Sequence, residues 1–147
     1  MTEIHTGGCL CGAVRYRVTS KPNFVAVCHC KFCQKRLASA FSIVAAFDEK
    51  SVEFTQGKLA EYEHRSDESG RWLKMNFCPT CGTTVSHTAE ARPGMRSIAA
   101  GTFDDTDWLN IDRHIWLKSK MPWVGVPEGM VTFERGATPA PQASTKS

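Results

Sequence analysis

Short segments in which apolar and polar residues alternate run through most of the chain, and they predict β-strands. Residues 13–19 (Ala-Val-Arg-Tyr-Arg-Val-Thr) alternate as a half-buried strand does, and the mostly apolar residues 41–47 predict a strand covered on both faces. We predict further strands at 23–27, 52–54, 59–65, 71–77, 83–87, 97–100 and 130–134. Gln56-Gly57 and residues 68–70 supply turns at hairpin spacing. The pattern therefore predicts an all-β fold.

Few segments depart from this strand pattern. Residues 34–38 (Gln-Lys-Arg-Leu-Ala) predict a helical turn, and the polar residues 104–108 predict a loop. Residues 136–147 are rich in Pro, Ala and Ser, which predicts a disordered C-terminal tail. A length of 147 residues fits the roughly 100–200 residues of one domain, which we expect to cover residues 1–135.

Charge and composition exclude several classes of protein. The net charge is only +3, and the basic residues are scattered among acidic ones, so no nucleic-acid partner is expected. No stretch approaches the about 18 apolar residues of a transmembrane helix, and the first residues lack the basic end and apolar run of a signal peptide. We therefore expect a cytoplasmic protein with no membrane partner. The oligomeric state does not follow from the sequence.

Seven cysteines give the chain its candidate chemistry. Their odd number and a reducing cytosol argue against a disulfide framework. They cluster as Cys9-Leu-Cys11, Cys28-His-Cys30-Lys-Phe-Cys33 and Cys78-Pro-Thr-Cys81, and such close spacing suits metal chelation. Thiolate sites select zinc or iron–sulfur clusters; the chain has no four-cysteine ferredoxin-type run, so zinc is favoured.

The seven cysteines divide naturally into four and three. Cys78-Pro-Thr-Cys81-Gly82 is typical of half a zinc knuckle, which needs two more ligands, whereas Cys28, Cys30 and Cys33 could hold one metal and leave a vacant position. Four cysteines are typical of structural zinc, and three protein ligands are typical of catalytic zinc. Spacing alone does not decide which pair completes the knuckle, although Cys9 and Cys11 are the economical choice. The alternative is one closed zinc site and three ordinary thiols.

Five motifs in order along residues 7–124 resemble one known family. They are Gly-Gly-Cys-Leu-Cys-Gly (7–12), Cys-His-Cys-x-x-Cys (28–33), Phe-Cys-Pro-x-Cys-Gly (77–82), Gly-Thr-Phe-Asp-Asp (101–105), and His-Ile-Trp (114–116) with Ser-Lys-x-Pro-Trp (119–123). Together they resemble the glutathione-dependent formaldehyde-activating (Gfa-like) enzymes.

This resemblance implies an Mss4-like β-tent of antiparallel sheets and two Zn²⁺ ions per chain. The structural zinc would be held by Cys9, Cys11, Cys78 and Cys81, and the catalytic zinc by Cys28, Cys30 and Cys33. The implied activity is that of a carbon–sulfur lyase working in the direction of synthesis. It joins glutathione and formaldehyde, its small-molecule partners, to give S-hydroxymethylglutathione.

The chemistry of a three-thiolate site agrees with a thiol substrate. Three thiolates leave Zn²⁺ with a net charge of about −1 and weaken it as a Lewis acid, so hydrolysis is disfavoured. A fourth thiolate suits such a soft site, and zinc would hold it ready for an aldehyde carbon. Because the charge of the metal centre then becomes about −2, nearby cations should stabilise it. Lys31 and Lys35, with Arg36 just beyond, could also hold a peptide carboxylate.

Several other residues are candidates for the site, and some of them have both a functional and a structural interpretation. Gly101 and Thr102 could present backbone N–H groups to a ligand. His114 is a proton shuttle or a hydrogen-bonded structural residue. Trp116 and Trp123 either form core or pocket wall or determine specificity, and the first is favoured. Asp104 and Asp105 form a turn or contact substrate. We expect His29 to point away from the metal, because it lies between two ligands.

Two other functions compete with the enzyme. The first is a non-catalytic zinc module that binds a thiol ligand or a protein partner. The second is a nucleic-acid-associated zinc protein, which the positive charge suggests but the scattered basic residues disfavour.

Overall fold

Ten β-strands and one short α-helix form the described part of the chain, residues 3–136, in this computed structural model. The strands are β1 (His5–Gly8), β2 (Arg15–Val18), β3 (Phe24–Cys28), β4 (Ser42–Asp48), β5 (Val52–Gln56), β6 (Ala60–Arg65), β7 (Trp72–Phe77), β8 (Thr84–Ala89), β9 (Met95–Ala99) and β10 (Arg113–Ile115). The helix is α1 (Lys31–Leu37), and 3-10 helices cover Glu49–Ser51, Ala100–Thr102 and Leu117–Ser119. The predicted all-β class is confirmed.

The chain divides into two units, and the first contains residues 3–25 and 44–110. Strands β1, β2 and β5 form one antiparallel sheet, and β4, β9, β8, β7 and β6 follow one another in a second. Apolar side chains from both sheets are buried, among them Tyr16 and Phe47. The Tyr16 and Phe47 rings each meet the Phe103 ring, with centroids 5.4 and 6.3 Å away. Burial of these aromatic rings contributes to the stability of this unit.

The second unit contains residues 26–43 and 111–136. The end of β3 pairs with β10 in parallel, with Ala26 opposite Arg113 and Cys28 opposite Ile115. Helix α1 follows β3 after two residues, and its C-cap is Ala38, whose φ of 51° is left-handed. The predicted antiparallel arrangement therefore holds for the sheets of the first unit, and the second unit adds a parallel pair.

Most predicted strands are present within two or three residues of their predicted ends, and residues 104–108 lie outside the helices and strands. The helical turn predicted at 34–38 begins earlier, at Lys31. The strand predicted at 130–134 is reduced to a single bridge between Thr132 and His114. The left-handed backbone of Trp116, with a φ of 62°, ends the extended run opposite it.

Two strands were not predicted. β1 contains Gly7 and Gly8, which suggest a turn, yet a Cβ atom at Gly7 would lie 2.4 Å from the Thr102 carbonyl oxygen and from the Tyr16 hydroxyl. The glycine therefore serves close approach of neighbouring groups within a strand. β10 spans only three residues, which is too short for a pattern to predict. The single domain predicted over residues 1–135 stays a prediction, and residues 137–147 of the predicted tail lie outside the described residues.

Candidate metal centres

The first cysteine group brings together Cys9, Cys11, Cys78 and Cys81, whose four sulfur atoms all lie within 4.8 Å of one another. The Sγ atoms of Cys9 and Cys11 are 3.7 Å apart, and those of Cys11 and Cys78 are 3.8 Å apart. A tetrahedron of sulfurs about 2.3 Å from a central zinc has edges of about 3.8 Å. The four sulfurs therefore fit a tetrahedral zinc ion.

Two tight turns supply these sulfurs. Cys78 directly follows β7, and its carbonyl accepts a hydrogen bond from the N–H of Gly82, whose φ of +78° favours glycine. The N–H groups of Thr80 and Cys81 point at the Cys78 sulfur, 3.4 and 3.5 Å away. Backbone N–H groups directed at sulfur stabilise a thiolate, as expected of half a zinc knuckle.

The turn that carries Cys9 repeats this arrangement. The N–H of Val14 donates to the Cys9 sulfur at 3.2 Å, and the N–H of Gly12 donates to the Cys9 carbonyl at 3.1 Å. The two turns are joined by Thr83, whose hydroxyl accepts from the N–H of Leu10 at 3.1 Å. The hydroxyl of Thr83 also lies 3.2 Å from the Cys81 sulfur and lowers the pKa of that thiol to about 5. These contacts favour a thiolate at Cys81, whereas desolvation and the neighbouring sulfurs raise the pKa of Cys11 to about 11, a conflict that a bound cation would remove.

The second group contains Cys28, Cys30 and Cys33, with all three sulfurs within 4.8 Å of one another. Cys28 is the last residue of β3, and Cys33 lies in the first turn of α1. Cys30 caps that helix, because its sulfur accepts from the N–H of Cys33 at 3.3 Å. Strand end, cap and first turn therefore bring three sulfurs to one point. Among residues 3–136, no further Cys, His, Asp or Glu atom joins them.

The charge of this triplet also favours a cation. Hydrogen bonds with Cys28 and Cys30 lower the pKa of the Cys33 thiol, whereas hydrogen bonds with Cys30 and Cys33 raise the pKa of Cys28. One of the three thiols therefore ionises easily, but its negative charge disfavours ionisation of the other two. A divalent ion would remove this conflict, so the donor set fits zinc.

Apolar side chains surround the triplet. Cys28 and Cys33 are buried with Ile115, and Phe32, Trp116 and Phe133 pack against them. Such a setting limits water and strengthens electrostatic interactions within it. Trp116, predicted as a site residue, is therefore beside the triplet, in strained left-handed backbone.

His29 and His114 form a buried pair in the second unit. The Nε2 atom of His29 lies 2.9 Å from Nδ1 of His114, and burial lowers the pKa of both side chains. The N–H of His29 donates to the Ile115 carbonyl at 3.0 Å. His29 is not part of the cysteine group, as expected. The pair anchors the segment between two of the cysteines.

A groove of about 630 Å³ runs along α1. Both predicted cations, Lys31 and Lys35, line it and are exposed; Gln34, Met121 and Trp123 also line it, and Trp123 is 74% exposed. This volume is within the about 300–1,000 Å³ usual for ligand sites. Trp123 was predicted as core or pocket wall, whereas Met121 and Gln34 were not predicted as site residues.

Gln34 fixes one side of this groove. Its side-chain Nε2 donates to the carbonyls of His29, at 2.7 Å, and Ser119, at 3.0 Å. It thereby ties α1 to the segment that carries Met121 and Trp123. In the sequence, only the position of Gln34 directly after Cys33 could have indicated a role at the site.

Gly101 and Thr102, two further predicted site residues, lie in the first unit. The hydroxyl of Thr102 donates to the Ala99 carbonyl at 2.7 Å and contacts the Tyr16 hydroxyl at 2.8 Å. Gly101 is in the same 3-10 helix. These hydrogen bonds indicate a structural role for Thr102. A role for Gly101 or Thr102 in substrate binding stays a prediction.

An all-β fold with a four-cysteine and a three-cysteine group defines a protein with two candidate zinc sites. The chain belongs to the glutathione-dependent formaldehyde-activating enzyme family, whose sequence model matches residues 4–119. Its fold is similar to the crystal structure of a Rhodobacter sphaeroides protein, with a TM-score of 0.54 and 21% identity over 87% of this chain and 98% of that one. The fold agrees with the Mss4-like class implied by the sequence resemblance.

None of the helices in residues 3–136 is long and apolar enough to cross a membrane.

Proposed function

We propose that this chain is a zinc-dependent carbon–sulfur lyase of the Gfa type that joins glutathione to a small aldehyde such as formaldehyde. The observation that carries the proposal is the triplet of Cys28, Cys30 and Cys33, which fits zinc and has no fourth ligand among residues 3–136. Three protein ligands leave a position for a substrate, whereas the group with Cys78 is complete without one. Family membership supports glutathione and formaldehyde as the substrates.

The groove along α1, which the three cysteines of the triplet do not line, supports the binding of an anionic thiol. Lys31 and Lys35 are exposed along the groove, where they could pair with peptide carboxylates, and the Trp123 ring offers an apolar wall. The Nζ atom of Lys31 is held 3.3 Å from the Gln34 side-chain oxygen, which limits its position. Zinc, when bound, would lower the pKa of the substrate thiol so that it reacts as a thiolate.

The proposed reaction is an addition that needs no redox partner. The thiolate sulfur forms a bond to the aldehyde carbon, and the carbonyl π pair moves to oxygen. That oxygen takes a proton from water, which balances the proton released by the thiol, and the product is the hemithioacetal S-hydroxymethylglutathione. Phe32, Trp116 and Phe133 would limit water during this step. His114 would keep its neighbour His29 in place, and a direct role in proton transfer stays a prediction.

Exchange NMR on mixtures of glutathione and formaldehyde tests the proposal. We expect the full chain with two zinc ions to speed interconversion of formaldehyde and S-hydroxymethylglutathione above the spontaneous rate, and Cys30→Ser to abolish that gain. Spontaneous rates with both proteins would contradict the enzyme proposal. If glutathione nevertheless bound to the wild-type chain, the alternative function, a non-catalytic zinc module with a thiol ligand, would account for the protein.

Two accompanying proposals concern location and partners. We propose that the chain acts in the cytoplasm, where reduced thiols keep the triplet competent for metal binding. We also propose that it binds no nucleic acid, because its charged residues show no basic run. Retention on DNA that falls with added salt would contradict the second statement.

A further inference from the structure

Arg36 lies one helical turn after Cys33 on α1, so the two side chains share a face of the helix. The guanidinium carbon of Arg36 is 5.7 Å from the centroid of the Phe32 ring, and that ring packs against the cysteine triplet. The side chain is therefore close to the sulfurs.

The guanidinium of Arg36 has two buried N–H donors with no partner. Its Nε and Nη1 atoms are shielded from solvent and make no hydrogen bond within residues 3–136. Residues 26–43 contain no Asp or Glu, and Arg36 forms no ion pair with a described residue. Because shielding two N–H donors of a charged group without partners is costly, a nearby negative charge would stabilise this half-buried side chain.

The triplet can supply that charge only in one chemical state. Three neutral thiols carry no charge, whereas three thiolates on a divalent ion carry about −1, and about −2 with a bound substrate thiolate. Lys31 and Lys35 are exposed and solvated, so their charges act on the triplet more weakly. Of the three cations on α1, Arg36 is the one whose buried donors match this need.

We propose that Arg36 is a positioning residue whose guanidinium provides the counter-charge for the metal held by Cys28, Cys30 and Cys33. This inference rests on the proposed function, because it requires the triplet to bind a metal. Arg36 acts through the thiolate ligands and does not contact the substrate. It makes the three-thiolate site stable enough to accept a further anion.

The test measures metal affinity instead of catalysis. The full chain is prepared with zinc in its four-cysteine group, and Co²⁺ is titrated against a competing chelator while the thiolate-to-cobalt absorption band is recorded. Four proteins are compared: wild type, Arg36→Gln, Arg36→Lys, and Lys35→Gln, which removes one exposed charge from the same helix. Thermal unfolding of each protein checks that the fold is retained.

We expect Arg36→Gln to weaken Co²⁺ binding by about 10–100-fold, the usual effect of losing a partner of metal ligands. Arg36→Lys should restore most of that affinity, and Lys35→Gln should stay within about threefold of wild type because exposed charges are screened. Equal affinity in wild type and Arg36→Gln would overturn the role of Arg36 alone. So would equal weakening in Arg36→Gln and Arg36→Lys, which would indicate packing and not charge. Failure of the wild-type triplet to take up any Co²⁺ would overturn the proposed function as well.

Discussion

The two cysteine groups use the same ligand atom in different surroundings. The group of Cys9, Cys11, Cys78 and Cys81 is formed by two turns whose N–H groups point at sulfur, and its four sulfurs fit a closed tetrahedron. The triplet lies at a strand end and a helix start, among aromatic side chains. Both groups consist of cysteine sulfurs, so ligand type does not distinguish them. The number of ligands and their surroundings suit the four-cysteine group to a structural metal and the triplet to a catalytic one.

The largest effect is expected from Cys78→Ser. Structural zinc contributes about 10–16 kcal/mol of apparent binding free energy, comparable with or greater than the about 5–15 kcal/mol stability of a typical domain. Loss of this ligand should therefore leave the chain unfolded at room temperature, as measured by circular dichroism and thermal melting. A Cys78→Ser protein that melts like wild type would remove the structural role from this group.

Cys30→Ser should keep the fold but lose the activity. We expect a folded protein whose catalytic gain falls by roughly 100-fold or more, because even indirect partners of a metal contribute about 10–100-fold. Melting and exchange NMR on the same sample separate the two readouts. If Cys30→Ser unfolds as completely as Cys78→Ser, the division of roles between the groups is wrong.

A smaller effect is expected in the helix that carries the triplet. Ala38 ends α1 with a φ of 51°, a conformation that costs an L-residue about 1–2 kcal/mol. Ala38→Gly should raise the free energy of unfolding by about 0.5–1 kcal/mol, after allowance for the greater entropy of glycine in the unfolded chain. Denaturant titration measures this change. Ala40→Gly, which replaces a residue without positive φ, is the matched control and should not stabilise the protein.

The smallest effect concerns acid stability in the unit that carries the four-cysteine group. Hydrogen bonds from Arg15, and then from Thr6, lower the pKa of Asp104 from 3.8 to about 2. Because the pKa is lower in the folded state, this carboxylate stabilises the fold above about pH 4 and loses that contribution as the pH falls toward 2. In a plot of the free energy of unfolding against pH, Asp104→Asn should lose less stability than wild type between about pH 4 and pH 2. Substitution of the exposed Asp67 by Asn should leave the wild-type pH dependence unchanged. Parallel profiles for wild type and Asp104→Asn would contradict the prediction.

Much of this fold could be predicted from local patterns, and the exceptions have physical causes. Residues 13–19 and 41–47 contain β2 and most of β4 because alternation and apolar runs reflect burial directly. β1 was missed because Gly7 is required by close approach of Thr102 and Tyr16, which only the folded chain brings near. The strand expected at 130–134 was wrong except for the bridge at Thr132, because the left-handed backbone of Trp116 ends the partner strand β10.

The candidate site was predictable in its ligands but less so in its surroundings. Cysteine spacing suggested groups of four and three, and the structure brings together those two sets. Spacing could not indicate that Gln34 ties α1 to Ser119, or that the Arg36 donors are buried. Both features depend on contacts with segments far away in sequence or on the packing of Phe32, which no local pattern reports.

The most direct test of the account asks whether a substrate thiol becomes the fourth ligand at the triplet. Co²⁺ is placed at Cys28, Cys30 and Cys33, with zinc kept in the four-cysteine group, and glutathione is added while the absorption spectrum is recorded. We predict that the thiolate-to-cobalt band grows by about one third, the increment for a fourth sulfur on a three-sulfur site, and saturates at one glutathione per chain. A spectrum unchanged by glutathione would contradict the account.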